Sequence, residues 1–205
     1  MTGNLSGTRR DLTESTESVT RTTGHRYTML NLRSRFNNCA VTGVDRLADG
    51  GLNIWGNSLP ANSLPSGEIL VDSIPFLFSG EGTGPDNVRC AGQLLDVPGG
   101  KADWLHLLAT SERRTEDELL LHYADGACDP EWLRVSDFWP ATPHFGELLA
   151  FRTPTMHYPH HVQRNLGGQV WLTRVPVPRR TPLTALRLPD NPAVHVFALT
   201  VEWTR

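Results

Sequence analysis

The last stretch of the chain, Asn191 to Trp203, reads NPAVHVFALTVEW and is largely apolar on both alternating faces. In an extended backbone Val194, Val196 and Ala198 fall on one side, and His195, Phe197, Leu199, Val201 and Trp203 on the other. A half-solvated strand would carry polar residues along one face, so this one is expected at the centre of a sheet with cover above and below. A sandwich of two antiparallel sheets supplies that cover without long helices.

The remaining apolar runs are short and separated by turn residues. Tyr27 to Phe36 predicts the first strand or its lead-in, and Leu52 to Trp55 a short strand inside the Asn- and Gly-rich stretch from Asn37 to Gly67. Ile69 to Phe78 predicts two strands or one broken at Pro75, which cannot donate to a ladder. Val88 to Leu95, Trp104 to Ala109, Leu119 to Tyr123, Val135 to Trp139, Leu148 to Arg152, Val170 to Val177 and Leu183 to Leu188 follow. A helix also fits Thr115 to Tyr123, but the short apolar run and the Asp125-Gly126 turn favour a strand. Roughly ten short strands with no internal repeat predict an all-β, antiparallel sandwich of the jelly-roll kind.

Residues 1–25 are rich in Thr, Ser, Arg and Glu and nearly devoid of large apolar side chains, so a disordered tail is expected ahead of a single domain over 26–205. The net charge is −3 and Lys and Arg are scattered, which gives no basic field for nucleic acid. Neither a signal-like apolar run nor a stretch long enough to cross a bilayer is visible, so a cytoplasmic protein without membrane association is expected. Cys39, Cys90 and Cys128 cannot all pair and lack zinc-finger spacing, which makes buried or incidental thiols the expectation.

Several blocks occur in a recognisable order: FNN at Phe36, DGG at Asp49, PDNV and AGQ between Pro85 and Gln93, YADG at Tyr123, SDFW at Ser136, FRTP at Phe151, then VPV, LRLPDN and VHVFALTV. In these blocks, over about Phe36 to Glu202, the chain resembles the jelly-roll, galactose-binding-like accessory domains appended to glycoside hydrolases of actinobacteria. That resemblance implies a non-catalytic jelly roll that binds or presents carbohydrate. Fold analogy alone does not fix a function.

His157, His160 and His161 lie in TPTMHYPHHVQRN and, with His144, are candidates for ligand contact or acid/base work, because imidazole titrates near neutrality. As zinc ligands they would need a common centre, which adjacent His160 and His161 on an extended backbone do not give, and a solvated or partly stacked loop is the plainer alternative. Asp137 and Trp139, followed by Arg152, place a carboxylate, an indole and a guanidinium near one end of the sandwich, the combination that grips sugars and other polar ligands. A core role for Trp139 and a structural Asp137–Arg152 ion pair is the plainer alternative. Asp45, Asp49 and Asp86 sit in Gly- and Asn-rich loops and are candidate oxygen ligands for a structural calcium, with turn formation as the alternative. GEGTGPDN lacks the Lys and helix of a phosphate loop, and no nucleophile elbow is present.

Two functions follow as expectations, beside a purely structural subunit whose pocket is vestigial. One is a jelly roll that binds a polar or sugar-like small molecule, needs no cofactor and works as a homodimer or with a partner protein. The other is an enzyme or enzyme subunit of specialised metabolism that performs cofactor-independent acid/base chemistry, such as an elimination, an isomerisation or a cyclisation.

Overall fold

In the computed structural model residues 19–22, 24–139 and 142–204 are described, so most of the expected tail, residues 1–18 and 23, lies outside the described residues. Within that expected tail Val19–Thr22 forms β1, which pairs antiparallel with β2 (His25–Leu30). In chain order there follow β3 (Val41–Thr42), β4 (Leu59–Pro60), β5 (Gly67–Val71), β6 (Ile74–Phe78), β7 (Val88–Arg89), β8 (Leu94–Gly100) and β9 (Ala102–Ser111). Then come β10 (Thr115–Tyr123), β11 (Cys128–Val135), β12 (Leu148–Arg152), β13 (Thr155–Tyr158), β14 (His161–Arg164), β15 (Gln169–Pro176), β16 (Leu183–Arg187) and β17 (Val194–Trp203). The described helical segments are single 3₁₀ turns, and no described helix is long and apolar enough to cross a membrane.

The large sheet has the order β1-β2-β17-β9-β15-β12 with β7 also on β17, and the small sheet the order β11-β10-β16-β8. Counting β2, β8, β9, β10, β11, β15, β16 and β17 as core strands one to eight, the large sheet runs one-eight-three-six and the small sheet two-seven-four-five. That interleaving is the jelly roll, so the expected fold class is the observed one. Thr115 to Tyr123 is strand throughout.

All ten residues of β17 are buried, because β2 and β9 flank it and both faces are covered. One face joins the dry layer between the sheets, with Leu105, Leu107, Leu119, Leu121, Val175 and Leu186. The other meets Phe76, Phe78, Leu52 and Leu59, carried by β5–β6 and the loops before it. Each such side chain contributes about 1.5–3 kcal/mol by leaving water, so the second layer is a core in its own right. The simple alternation expected for β17 is broken: the pairing with β9 shifts between Val196 and Ala198. This bulge puts Val194 and Val196 on the same face as Leu199, Val201 and Trp203, and turns Phe197 and Ala198 to the second layer.

Three local expectations are corrected. Leu52 to Trp55 is a turn, held by Asn53 and by Leu52 N–H donating to Asn57 O at 2.8 Å. Val135 to Trp139 is a strand only at its first residue; Asp137 makes a single bridge to Ser111 while Phe138 N–H donates to Ser111 O at 3.0 Å. The strand here is β11, which precedes it. Pro75 lies inside β6, and the break falls instead at Asp72 and Ser73, whose positive φ of 49° and 65° makes the two-residue hairpin turn that suits a twisted ribbon.

Candidate functional site

Loops and a hairpin meet at one end of the second layer and enclose a cleft of about 490 Å³. Its walls are Trp55, Trp139 and Tyr158; Asn53, Asn57, Glu112 and Asp137 supply polar groups, with Phe138 behind them. Trp55 is 68% and Trp139 47% exposed, unusual for residues whose burial would release the most apolar area.

Each wall is fixed locally. Asn53 Oδ1 accepts from Trp55 N–H at 3.1 Å and Asn57 N–H at 3.2 Å, an Asx arrangement that closes the turn around the indole. Gly56 continues that turn at φ +69°, where a Cβ would fall 2.9 Å from Pro159 Cγ, so only glycine lets the Trp55 loop seat on the β13–β14 hairpin. Ser58 and His157 exchange backbone hydrogen bonds of 2.9 and 3.0 Å, which lock loop and hairpin together one residue before Tyr158. On the opposite wall Trp171 Nε1 donates to Asp137 O at 2.9 Å and Gln169 N–H to Phe138 O at 2.9 Å. Trp139 meets Phe138 edge to face at 5.7 Å.

The candidate residues divide sharply. Asp137 and Trp139 line the cleft. His144 stands beside it, its Nε2 3.5 Å from Asp137 Oδ1, so among the described residues the ion-pair contact of Asp137 is with His144 rather than Arg152. Arg152 ends β12 with an exposed side chain and is not a lining residue. His161 stacks on Tyr158 at 5.0 Å and 18°, one ring behind the wall. His160 occupies the turn between β13 and β14 and is exposed.

His157 is buried instead of facing ligand. Its Nδ1 is 2.8 Å from Thr42 Oγ1, which is 2.7 Å from Ser58 Oγ, and burial holds the imidazole below its ordinary pKa while the contact with Thr42 works the other way. The three clustered histidines therefore have three separate environments. A two-residue turn explains why: it sends His157 inward and leaves His160 and His161 at the tip.

The acidic candidates are likewise dispersed. Asp86 is buried and accepts from Ala40 N–H at 3.0 Å, Val41 N–H at 2.9 Å and Asn87 Nδ2 at 2.8 Å; burial nonetheless pushes its carboxyl up to about 7. Asp49 pairs with Arg46 at 2.7 Å, and the Asp45 carboxylate folds over Gly43. Among the described residues no three His, Cys, Asp or Glu side chains converge on a common cation position.

The residues missed in the sequence are Trp55, Tyr158, Asn53, Asn57 and Glu112. The signal available was an indole embedded in an Asn- and Gly-rich loop, where it has no core to enter. Glu112 is half-compensated by Arg89, whose Nη2 lies 2.9 Å from its carboxylate. The cleft thus presents flat apolar rings with hydrogen-bonding edges and, at Asp137, a carboxylate whose contact with His144 is a long 3.5 Å, a combination chemically suited to the face and rim of a polar ring.

A family model for an AziU2-like beta-sandwich domain matches residues 26–205. Comparison with curated proteins finds no match.

Proposed function

The chain belongs to the AziU2-like β-sandwich domain family, and from that premise we propose that it is a binding module for a polar, sugar-like small molecule held in the cleft between Trp55, Trp139 and Tyr158. The observation that carries this reading is the pair of indoles, one mostly and the other about half in solvent, around a cavity of about 490 Å³. Rings exposed in this way are stabilised by a ligand's apolar face, while Asp137, Asn53 and Asn57 accept and donate along its edge. The sequence blocks that resemble jelly-roll accessory domains of glycoside hydrolases imply the same ligand class. Ile54, 80% exposed beside Trp55, marks the rim where a partner protein or a second copy would cover the bound molecule.

Titration calorimetry with hits from a glycan array tests this. The expected result is saturable binding by the wild type and a loss of tenfold or more, about 1.4 kcal/mol, in Trp55→Ala and in Trp139→Ala, with unchanged unfolding midpoints. Equal affinity in both variants would sink the reading.

One observation supports a second reading. The Asp137–His144 contact places an acid/base pair at the mouth of the cleft, suited to cofactor-independent proton transfer in an elimination, isomerisation or cyclisation. If the cleft is catalytic, Asp137→Asn retains ligand and abolishes turnover; if it only binds, native mass spectrometry recovers the ligand unchanged.

A further inference from the structure

The face of the large sheet that carries the second layer is only partly roofed by β5 and β6. Beyond that roof lies a separate cavity of about 590 Å³, walled by Trp104 of β9 and Trp132 of β11. His106 lines it too, although the residue is only 4% exposed. His106 Nε2 lies 2.8 Å from Glu202 Oε2, and Glu202 Oε1 lies 2.6 Å from His25 Nδ1. Sheet register explains the array: Glu202 pairs with Tyr27 on one side and Trp104 on the other, so β2, β17 and β9 deliver the three side chains to one face. Tyr27 closes it, within 6.1 Å of the His25 ring and 6.2 Å of the His106 ring.

The carboxylate of Glu202 accepts the His106 Nε2 proton and so fixes the tautomer, leaving Nδ1 a bare lone pair. That Nδ1 is closed to solvent and has no partner among the described residues, so a donor reaches it only as the side chains over it shift. A buried acceptor without a donor destabilises the fold, and the loss is recovered only when a donor arrives. Desolvation, opposed by Glu202, holds His106 below the ordinary histidine pKa, which keeps it the neutral acceptor at physiological pH.

The surroundings narrow the donor's chemistry. Arg174 lies over the Trp104 ring at 5.2 Å and Arg134 over Trp132 at 6.0 Å, while Asp72 and Glu131 line the same cavity. An anion would meet the carboxylates and a cation the guanidiniums. Hydroxyl groups, which both donate and accept, satisfy both kinds of lining at once.

We propose that this cavity is a second ligand site, in which a neutral polyhydroxylated molecule lies between Trp104 and Trp132 and donates one hydroxyl hydrogen bond to His106 Nδ1. It shares no lining residue with the cleft at Trp55.

The test is ¹⁵N NMR of the full chain labelled at histidine, titrated near neutral pH with myo-inositol and with methyl β-D-glucopyranoside. The proposal expects His106 as the Nε2–H tautomer with a bare Nδ1. It also expects a saturable shift of the Nδ1 resonance with at least one probe, persisting in Trp55→Ala/Trp139→Ala. In Trp104→Ala the affinity falls tenfold or more; should that variant not fold, Arg174→Ala, an exposed position, is expected to weaken the same shift by at least threefold. An Nδ1–H tautomer, no saturable shift with either probe, or a shift untouched by the folded variant would each overturn it.

Discussion

Trp55 and Trp139 stand on loops, whereas Trp104 and Trp132 stand on strands, and the polar groups between each pair differ accordingly. In the loop-borne cleft the chemistry is exposed: Asp137 and His144 are partly solvated, and their contact is 3.5 Å. In the strand-borne groove it is buried and tightly bonded, with Glu202 held by two imidazoles at 2.6 and 2.8 Å. Exposed groups on loops can change with little cost to the fold, while groups set by sheet register are part of the fold's own hydrogen bonding. Substitution should therefore separate the two: stability responds in the groove, ligand affinity in the cleft.

The largest expected effect is Glu202→Ala. It strands the buried His106 Nε2–H and removes the charge-assisted partner of His25, and a loss of about 3 kcal/mol is expected from two such bonds. Urea unfolding checks it. A loss below about 1 kcal/mol would erase the distinction between groove and cleft, because surface positions already give changes of that order.

The comparison sharpens at His195, the buried histidine under the loop layer. Its Nδ1 lies 3.1 Å from Asn87 Oδ1 and 3.4 Å from Asn38 Nδ2. Burial, aided by the Arg89 charge, lowers its pKa from 6.5 to about 3. Below pH 6.5 the unfolded chain takes up a proton that the folded chain refuses, so stability falls with pH until about 3. His195→Gln abolishes this dependence. From pH 6.5 to about pH 4.5 the unfolding free energy of the variant should gain about 2 kcal/mol on the wild type, the slope rising to about 1.4 kcal/mol per unit once the unfolded histidine is fully charged. Asp86 acts with the opposite sign, since its carboxyl is raised from 3.8 to about 7 and its protonation favours the folded state as pH falls. It is present in both proteins and largely cancels in the difference. Parallel curves for the two proteins would mean that His195 is protonated in the folded chain.

What could be read from residues alone follows the same division. The centrality of β17 was legible because ten consecutive residues are buried and apolar alternation survives on either side of the bulge; the bulge itself was not, since Phe197 and Ala198 are apolar whichever face they take. β11 was hidden because Pro130, Trp132 and Arg134 face outward and only Leu133 and Val135 enter the core. Trp139 and Asp137 were legible as candidates beside a proline-bearing loop, and both line the cleft. Trp55 was absorbed into an expected strand, although a loop that closes on Asn53 is what leaves its ring in solvent. His106 was invisible as a site because it sits inside the apolar run WLHLLA and its partner Glu202 lies 96 positions away, brought near only by register. The histidine cluster drew attention by proximity in sequence, and a two-residue turn dispersed it.

The smallest expected effect on stability belongs to Asp137→Asn, and it probes the cleft from the side where substitution should be nearly silent. Asp137 is anchored through its backbone, by Trp171 Nε1 and by the bridge to Ser111, and neither contact uses the carboxylate. The Asp137 side chain is partly solvated although Oδ1 itself is buried, and its 3.5 Å contact with His144 is too long for a hydrogen bond, a geometry worth under about 0.5 kcal/mol. Unfolding midpoints should hardly move, and Asn keeps an acceptor oxygen while losing the charge. Affinity for a neutral ring should then fall about threefold to tenfold, since a carboxylate acceptor is roughly twice as strong as an amide one. A stability loss above about 1 kcal/mol would instead make the Asp137–His144 contact part of the framework, and the cleft would then resemble the groove in being built into the fold.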